Sequence, residues 1–238
     1  MKILSIGNSF SQDATRYLYG IARADGIPVK VVNLYIGGCS LSRHFRNMMA
    51  DAAAYDLEIN GMTNTGFKTS IKEALLSDDW DVVTLQQQSL KSADYETFQP
   101  YLDALVDCIR KLAPRAKLLF HQTWGYKPGS EKLGKTIYET HEDMFRAIQR
   151  AYALASDTYG AGRIPSGEVV LEANRLGAPH IYRDEFHMSR GFGRYLLGLV
   201  WYKTLTGNAV ENNTYRDFDE AITDEEISLA KEIVSQIQ

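Results

Sequence analysis

Four short apolar runs, at residues 3–6, 29–35, 80–85 and 117–120, stand out along the first half of the chain. They are rich in β-branched or aromatic residues and are separated by segments long enough for helices. Their hydrophobicity is continuous rather than alternating, which indicates strands that are buried on both faces. The pattern predicts an α/β fold, with a central parallel sheet that helices cover on each side.

Helical spacing is clearest at 102–112, where apolar residues recur every three or four positions and Pro114 follows. Further helices are predicted at 12–24, 70–76, 138–155, 167–175 and 190–205, and from a capping box at Thr223 to residue 237. The stripe of Leu196, Leu197, Val200 and Trp201 is most simply helix core. Segment 55–67 fits either an irregular excursion or an extra hairpin.

Length and composition indicate one domain over residues 1–238. The chain has 238 residues, 45% of them hydrophobic, and a formal net charge of -4, which suits a single α/β domain with a sizeable core. Lysine and arginine are scattered singly, so neither nucleic acid nor a membrane surface is an expected partner. The oligomeric state is left open.

Cys39 and Cys108 are too few for a disulfide framework and lie in no metal-binding motif, so both are interpreted as free thiols. No basic segment followed by a long apolar stretch begins the chain, and no transmembrane segment is evident. A cytoplasmic location is expected on this evidence. Secretion stays open, because a protein that had lost its signal peptide would have the same sequence.

Chemically distinctive residues follow each of the four predicted strands. Ser9 follows the first, Gly37-Gly38 the second, Gln86-Gln87-Gln88 the third and Gln122-Thr123-Trp124 the fourth. In open parallel sheets the carboxyl ends of the strands form the ligand-binding edge. These residues are therefore expected to meet in one crevice.

Ser9 and a distant Asp184-x-x-His187 pattern suggest a hydrolase. A serine hydroxyl needs a histidine to accept its proton, and that histidine needs a carboxylate to fix its tautomer. Each motif also has a plainer interpretation when taken alone. Ser9 could cap the helix that follows it, and Asp184 could cap the helix that starts near residue 190.

Three blocks of this chain resemble the SGNH (GDSL-type) hydrolase superfamily, in an uncharacterised bacterial branch. Gly7-Asn8-Ser9-Phe10 is similar to the nucleophile block, Gly38-Cys39-Ser40 to the second block and Asp184-Glu185-Phe186-His187 to the Asp-x-x-His block. The resemblance implies a flavodoxin-like three-layer α/β/α sandwich. It also implies that Ser9 is the nucleophile, His187 the base and Asp184 the residue that orients His187, with no cofactor.

The oxyanion site is expected to use the backbone N–H groups of Ser9 and Gly38. The superfamily's third donor is an asparagine, whereas this chain has the glutamine run. Gln88 aligns with that asparagine, and strand alternation would let Gln86 point to the same side, so both remain candidates. Asn8 is a second departure, because many members have aspartate there; it is also a candidate substrate contact.

The remaining polar and aromatic candidates concern metal and substrate binding. His44, His121, His141 and His180 are spread without ligand spacing, so no metal is expected. Trp124 and Tyr126, in the loop after the fourth strand, could stack on a sugar ring or close the crevice as core.

The leading hypothesis is a serine esterase that removes a short acyl group, such as acetyl, from a hydroxylated or carbohydrate substrate through an acyl-enzyme. A hydrolase of long-chain acyl esters or thioesters is the second enzyme alternative. Two further hypotheses describe a protein that binds its ligand without hydrolysing it. One is a degenerate hydrolase that binds acylated glycans, and the other is a flavodoxin-like module that holds an anion at the helix after Ser9.

Overall fold

The centre of the molecule is a mixed sheet, seen in a computed structural model that describes residues 1–237. Its strands are β1 (Lys2–Gly7), β2 (Lys30–Tyr35), β3 (Tyr55–Ile59), β4 (Lys68–Thr69), β5 (Val82–Leu85), β6 (Lys117–His121) and β7 (Gly162–Ile164). They lie in the order β4-β3-β2-β1-β5-β6-β7. The five parallel strands follow the flavodoxin-like order 2-1-3-4-5, which confirms the expected fold class.

One edge of the sheet is antiparallel. Strand β3 pairs with β2 through Val32 opposite Ile59, and β4 pairs with β3 through Tyr55 opposite Thr69. Segment 55–67, together with residues 68 and 69, therefore contributes a hairpin rather than an irregular excursion. The sheet is consequently mixed, whereas the apolar runs alone predicted a parallel one.

Ten helices surround the sheet within the described residues. They are α1 (Ser9–Thr15), α2 (Leu18–Ala24), α3 (Leu41–Met49), α4 (Ile71–Leu76), α5 (Tyr101–Leu112), α6 (Glu131–Gly134), α7 (His141–Tyr159), α8 (Ser166–Arg175), α9 (Phe192–Thr206) and α10 (Asp224–Gln236). The single helix predicted at 12–24 is wrong, because the chain breaks between α1 and α2. Helix α3 was not predicted, since only Leu41 and His44 are buried along it.

The sheet separates two hydrophobic cores. Ile3 belongs to the core under α1, α2 and α8 to α10, whereas Leu4 and Ile6 belong to the core under α3, α5 and α7. Neighbouring residues of β1 thus face opposite layers, and both layers are dry. This arrangement explains the continuous apolar runs, and it forms the three-layer sandwich.

Helix α9 is the centre of the first core. Every residue from position 192 to 202 is buried, and the helix packs against α1, α2, α8 and α10. The stripe that includes Leu196 and Trp201 is core, as predicted, although the burial extends all round the helix. Among residues 1–237, none of the helices combines the length and the apolar composition needed to cross a bilayer.

Candidate active site

Ser9 is the first residue of α1 and follows directly on β1. Asn8 caps this helix by accepting the N–H of Phe10 at 3.0 Å. The turn is tight at Gly7, where an added Cβ would lie 2.3 Å from Ser11 Oγ and 2.9 Å from Gln86 Oε1. The absence of a side chain at position 7 therefore allows β1 to pass directly into the helix that carries Ser9.

Ser9, His187 and Asp184 form a continuous chain of hydrogen bonds. The distance from Ser9 Oγ to His187 Nε2 is 2.8 Å, and the distance from His187 Nδ1 to Asp184 Oδ2 is 2.7 Å. With Asp184 as acceptor, His187 carries its proton on Nδ1 and presents Nε2 to the serine hydroxyl. This is the geometry in which a neutral histidine can accept a serine proton.

Asp184 is held as a carboxylate. Partial burial opposes its ionisation, but the backbone N–H groups of His187 and Phe186 and the His187 ring outweigh that effect and lower the pKa of Asp184 below its ordinary value. The two N–H groups donate to Asp184 Oδ1 at 2.7 and 2.9 Å. Because Oδ1 fixes the loop, Oδ2 remains available to the imidazole.

Asp13, one turn along α1 from Ser9, anchors the loop that carries His187. Its side chain is fully buried and accepts from Arg183 Nη1 at 2.8 and 3.0 Å, from the N–H of Met188 at 3.2 Å and from Arg194 Nε at 2.9 Å. The sequence analysis missed this residue, although a carboxylate just after the nucleophile was a signal. Asp13 links the serine helix to both ends of the histidine loop.

Trp124 supports the same loop from beneath. Its indole Nε1 donates to the backbone carbonyl of Phe186 at 2.7 Å, and its ring stacks on Phe10 at a centroid distance of 4.0 Å. The side chain is fully buried. Of the two alternatives left open for Trp124, the structure therefore favours packing and not contact with a sugar.

Tyr126 is also part of the packing. It is 2% exposed, and its hydroxyl lies 3.2 Å from Ser89 Oγ. Neither Tyr126 nor Trp124 lines the cavity at Ser9, so the expectation that they bind substrate is corrected. The Tyr126 hydroxyl contacts Ser89, and the Trp124 indole N–H donates to the Phe186 carbonyl. Both rings therefore lie in the interior.

A cavity of about 230 Å³ opens at Ser9 and His187. Besides these two residues it is lined by Asn8, Phe10, Tyr35, Gly37, Gly38, Gln88, Ser89, Lys132 and Phe186. Gly38 has φ of +61° in a turn closed by the N–H of Cys39 and the carbonyl of Ile36, at 3.1 Å. Tyr35, Lys132 and Phe186 were not singled out from the sequence, because nothing local marks them as lining residues.

The glutamine run separates into three different environments. Gln88 lines the cavity, and its Nε2 donates to Ser89 Oγ at 3.2 Å. Gln87 is buried and accepts the N–H of Leu41 at 2.9 Å. Gln86 is buried as well and does not line the cavity. Of the two candidates, Gln88 is therefore the one with access to the cavity at Ser9.

Gln86 belongs to a buried chain of amides that runs behind Ser9. Asn8 Nδ2 donates to the carbonyl of Cys39 at 3.0 Å, so Asn8 Oδ1 must be the atom facing Gln86, whose Nε2 donates to it at 2.8 Å. Gln86 Oε1 then faces His121 Nδ1 at 2.7 Å, which must carry a proton. One backbone carbonyl therefore fixes both amide orientations and the histidine tautomer.

Asn8 borders the cavity, but both ends of its amide are engaged in this chain and in the cap of α1. Its placement therefore assigns it to the support of the site. Asn8 is 2% exposed, so little of its amide is accessible to a substrate.

The histidines other than His187 lie in separate surroundings. Burial lowers the pKa of His44 and of His121 to about 3, which keeps both rings neutral. His44 Nδ1 lies 2.9 Å from the hydroxyl of Tyr55, and His141 Nδ1 lies 2.6 Å from the carbonyl of Tyr126. In the part of the chain that the structure describes, no group of three His, Cys, Asp or Glu side chains is placed to hold a metal ion.

The fold is that of the SGNH (GDSL-type) hydrolase superfamily, so the resemblance read from the sequence is confirmed. Within it, the chain belongs to the family described as domain of unknown function DUF4886, whose model matches residues 2–236. Among curated proteins, no sequence matches the chain.

Solved structures agree with this assignment. A DUF4886 family protein from Bacteroides uniformis is 33% identical, with a TM-score of 0.89 over 99% of this chain and 93% of that chain. A proposed SGNH hydrolase from Slackia heliotrinireducens is 26% identical, with a TM-score of 0.60 over 86% and 98% of the two chains. The acetyl xylan esterase AlAXEase, at 15% identity and a TM-score of 0.57 over 86% and 100%, shares the fold.

Asp13→Asn is expected to destabilise the protein strongly. It removes the negative charge shared by Arg183 and Arg194, and breaking a buried ion pair on one side typically costs about 3–5 kcal/mol. Denaturant unfolding followed by circular dichroism measures the change. Asp56→Asn is the matched control, because its pair with Lys68 is half exposed and its loss should change stability far less. Equal stability of the two variants would contradict the anchoring role.

Proposed function

We propose that the chain is a serine esterase that removes a short acyl group, such as acetyl, from a hydroxylated or carbohydrate substrate. The observation that carries the proposal is the hydrogen-bonded series from Ser9 to His187 to Asp184, which opens on a cavity. Solved structures that share the fold include proteins named as esterases, such as the acetyl xylan esterase AlAXEase. These names support the reaction class by analogy.

In the proposed reaction His187 Nε2 accepts the proton of Ser9 as the serine oxygen attacks the ester carbonyl. The oxyanion is stabilised by the backbone N–H groups of Ser9 and Gly38 and by the Gln88 amide. His187 then protonates the leaving alcohol, and Asp184 stabilises the charged ring throughout. Water attacks the acyl-enzyme by the same sequence of proton transfers, which regenerates Ser9 and releases the acid.

The size of the cavity supports a short acyl group. A volume of about 230 Å³ lies below the range of roughly 300–1,000 Å³ that is typical of sites for drug-sized ligands. A long acyl chain would need a further apolar channel, so the long-chain ester or thioester alternative is less well supported. Three aromatic residues line the cavity, but Phe10 stacks on Trp124, and Phe186 packs on His187 beneath Lys132. The carbohydrate part of the proposal now depends on Tyr35 instead of Trp124 and Tyr126.

Ser9→Ala should lower hydrolysis of 4-nitrophenyl acetate by about 10⁴-fold or more, because the nucleophile is lost while the fold remains. Release of nitrophenolate measures the rate, and mass spectrometry after fluorophosphonate treatment locates the label. Ser228→Ala, in α10, is the control and should keep both turnover and labelling of Ser9. A folded parent protein that neither turns over nor takes up the label would favour the hypotheses of binding without turnover.

Asp184→Asn should lower kcat by about 10²- to 10⁴-fold, because an amide can no longer fix the His187 tautomer or stabilise its charged form. Circular dichroism should show an intact fold. The neighbouring Glu185→Gln keeps the oxygen that accepts the N–H of Lys132 and should lower kcat far less. If the two variants had similar rates, Asp184 would not be the orienting residue.

Gln88→Ala is expected to lower kcat by about 10²-fold with a small change in KM, since an oxyanion donor acts mainly in the transition state. Steady-state kinetics with the same ester separates the two constants. Gln88→Glu keeps the length of the side chain but replaces the donor by an acceptor, so it should not restore the rate. An unchanged kcat in Gln88→Ala would leave the oxyanion to backbone N–H groups alone.

A further inference from the structure

Lys132 brings a positive charge to the lining of the cavity, and its ammonium has no ion-pair partner among residues 1–237. Of the cavity-lining residues in the described part of the chain, it is the one lysine or arginine, and none is aspartate or glutamate. Two carboxylates lie near Lys132, and both have other hydrogen-bond partners than its ammonium. Glu131 pairs with Lys135, and Glu185 accepts the backbone N–H of Lys132 at 2.7 Å. Neither is within ion-pair distance of the Lys132 ammonium.

The position of this ammonium is tied to the loop of His187. Lys132 Nζ lies 4.4 Å from the ring centroid of Phe186 and 5.4 Å from that of Tyr126, which is a cation–π arrangement. The bond from its backbone N–H to Glu185 fixes α6 against the same loop. The ammonium therefore lies beside the cavity, against these two rings.

A substrate that reacts with Ser9 would have its alcohol part on the side of His187. The leaving oxygen must face His187 to receive its proton, whereas the carbonyl oxygen must face Gly38 and Gln88. The ring of Phe186 packs on that of His187 with 4.1 Å between centroids, and Lys132 covers Phe186. A group attached to the alcohol oxygen would thus extend toward Lys132.

We propose that Lys132 selects esters whose alcohol part carries an anionic group such as a carboxylate. The inference rests on the proposed esterase function and narrows its substrate class. An anion bound there would replace the lost solvation of the ammonium by a charge-assisted hydrogen bond, which is roughly twice as strong as a neutral one. The site would then distinguish acidic from neutral hydroxylated substrates.

The test compares kcat/KM for phenyl acetate with kcat/KM for 3- and 4-acetoxybenzoate, which add a carboxylate to the same alcohol. Monophenyl succinate carries the carboxylate on the acyl side instead. The ratio of carboxylated to plain ester should fall about tenfold in Lys132→Gln, which is the typical effect of losing one charge-assisted hydrogen bond. Lys132→Arg should keep most of the ratio.

Lys135→Gln is the matched control, because it removes the same charge next to α6 from a residue outside the cavity. It should leave the ratio unchanged. A ratio that is equal in the parent and in Lys132→Gln, or a Lys132-dependent preference confined to monophenyl succinate, would overturn the inference while the esterase function stands. If the parent hydrolysed neither phenyl acetate nor the other esters, the proposed function would fail and the inference with it.

Discussion

The geometry of the site depends on the hydrogen bonds that the buried carboxylate of Asp13 accepts. Ser9 lies at a strand end, which the sheet itself positions, but His187 lies in an irregular loop 178 residues further along the chain. A hydrogen bond between them requires that loop to be fixed to within a fraction of an ångström. Asp13 does this because it binds Arg183 and the N–H of Met188, on either side of His187, from the helix that begins with Ser9.

The amides behind Ser9 impose a second constraint, and they explain the departure at Asn8. The Cys39 carbonyl needs a donor, while the Gln86 amide and the Phe10 N–H need an acceptor. A single asparagine supplies both, whereas a carboxylate could not donate to the carbonyl. Because every group in the chain is buried, an unpaired one would be costly. Asparagine at this position is therefore required by its neighbours and does not by itself indicate a degenerate site.

The sequence predicted strands β1, β2, β5 and β6 and the sheet edge at which Ser9 lies, because both depend on local patterns. Short apolar runs mark buried strands, and the Ser9 and Asp184-x-x-His187 motifs are compact. The sequence left both Gln86 and Gln88 open as oxyanion donors, because alternation holds only within a strand and β5 ends at Leu85. The roles of Trp124 and Asp13 could not be predicted, because their hydrogen-bond partners lie about 60 and 170 residues away in the sequence. Helix α3 was missed because most of its residues are polar, and only Leu41 and His44 are buried.

Charge acts in this molecule at two scales that must be kept apart. The whole chain is mildly acidic, with a net charge of -4, which would disfavour an anionic substrate at long range. Salt screens such a field beyond about 8 Å at physiological ionic strength. Among the described residues that line the cavity, Lys132 is the one lysine, arginine, aspartate or glutamate, while the carboxylate of Asp184 lies behind the ring of His187 and outside that lining. In the proposed reaction, the charge of Lys132 at the cavity would favour an anionic group on the substrate in spite of the overall charge of the chain.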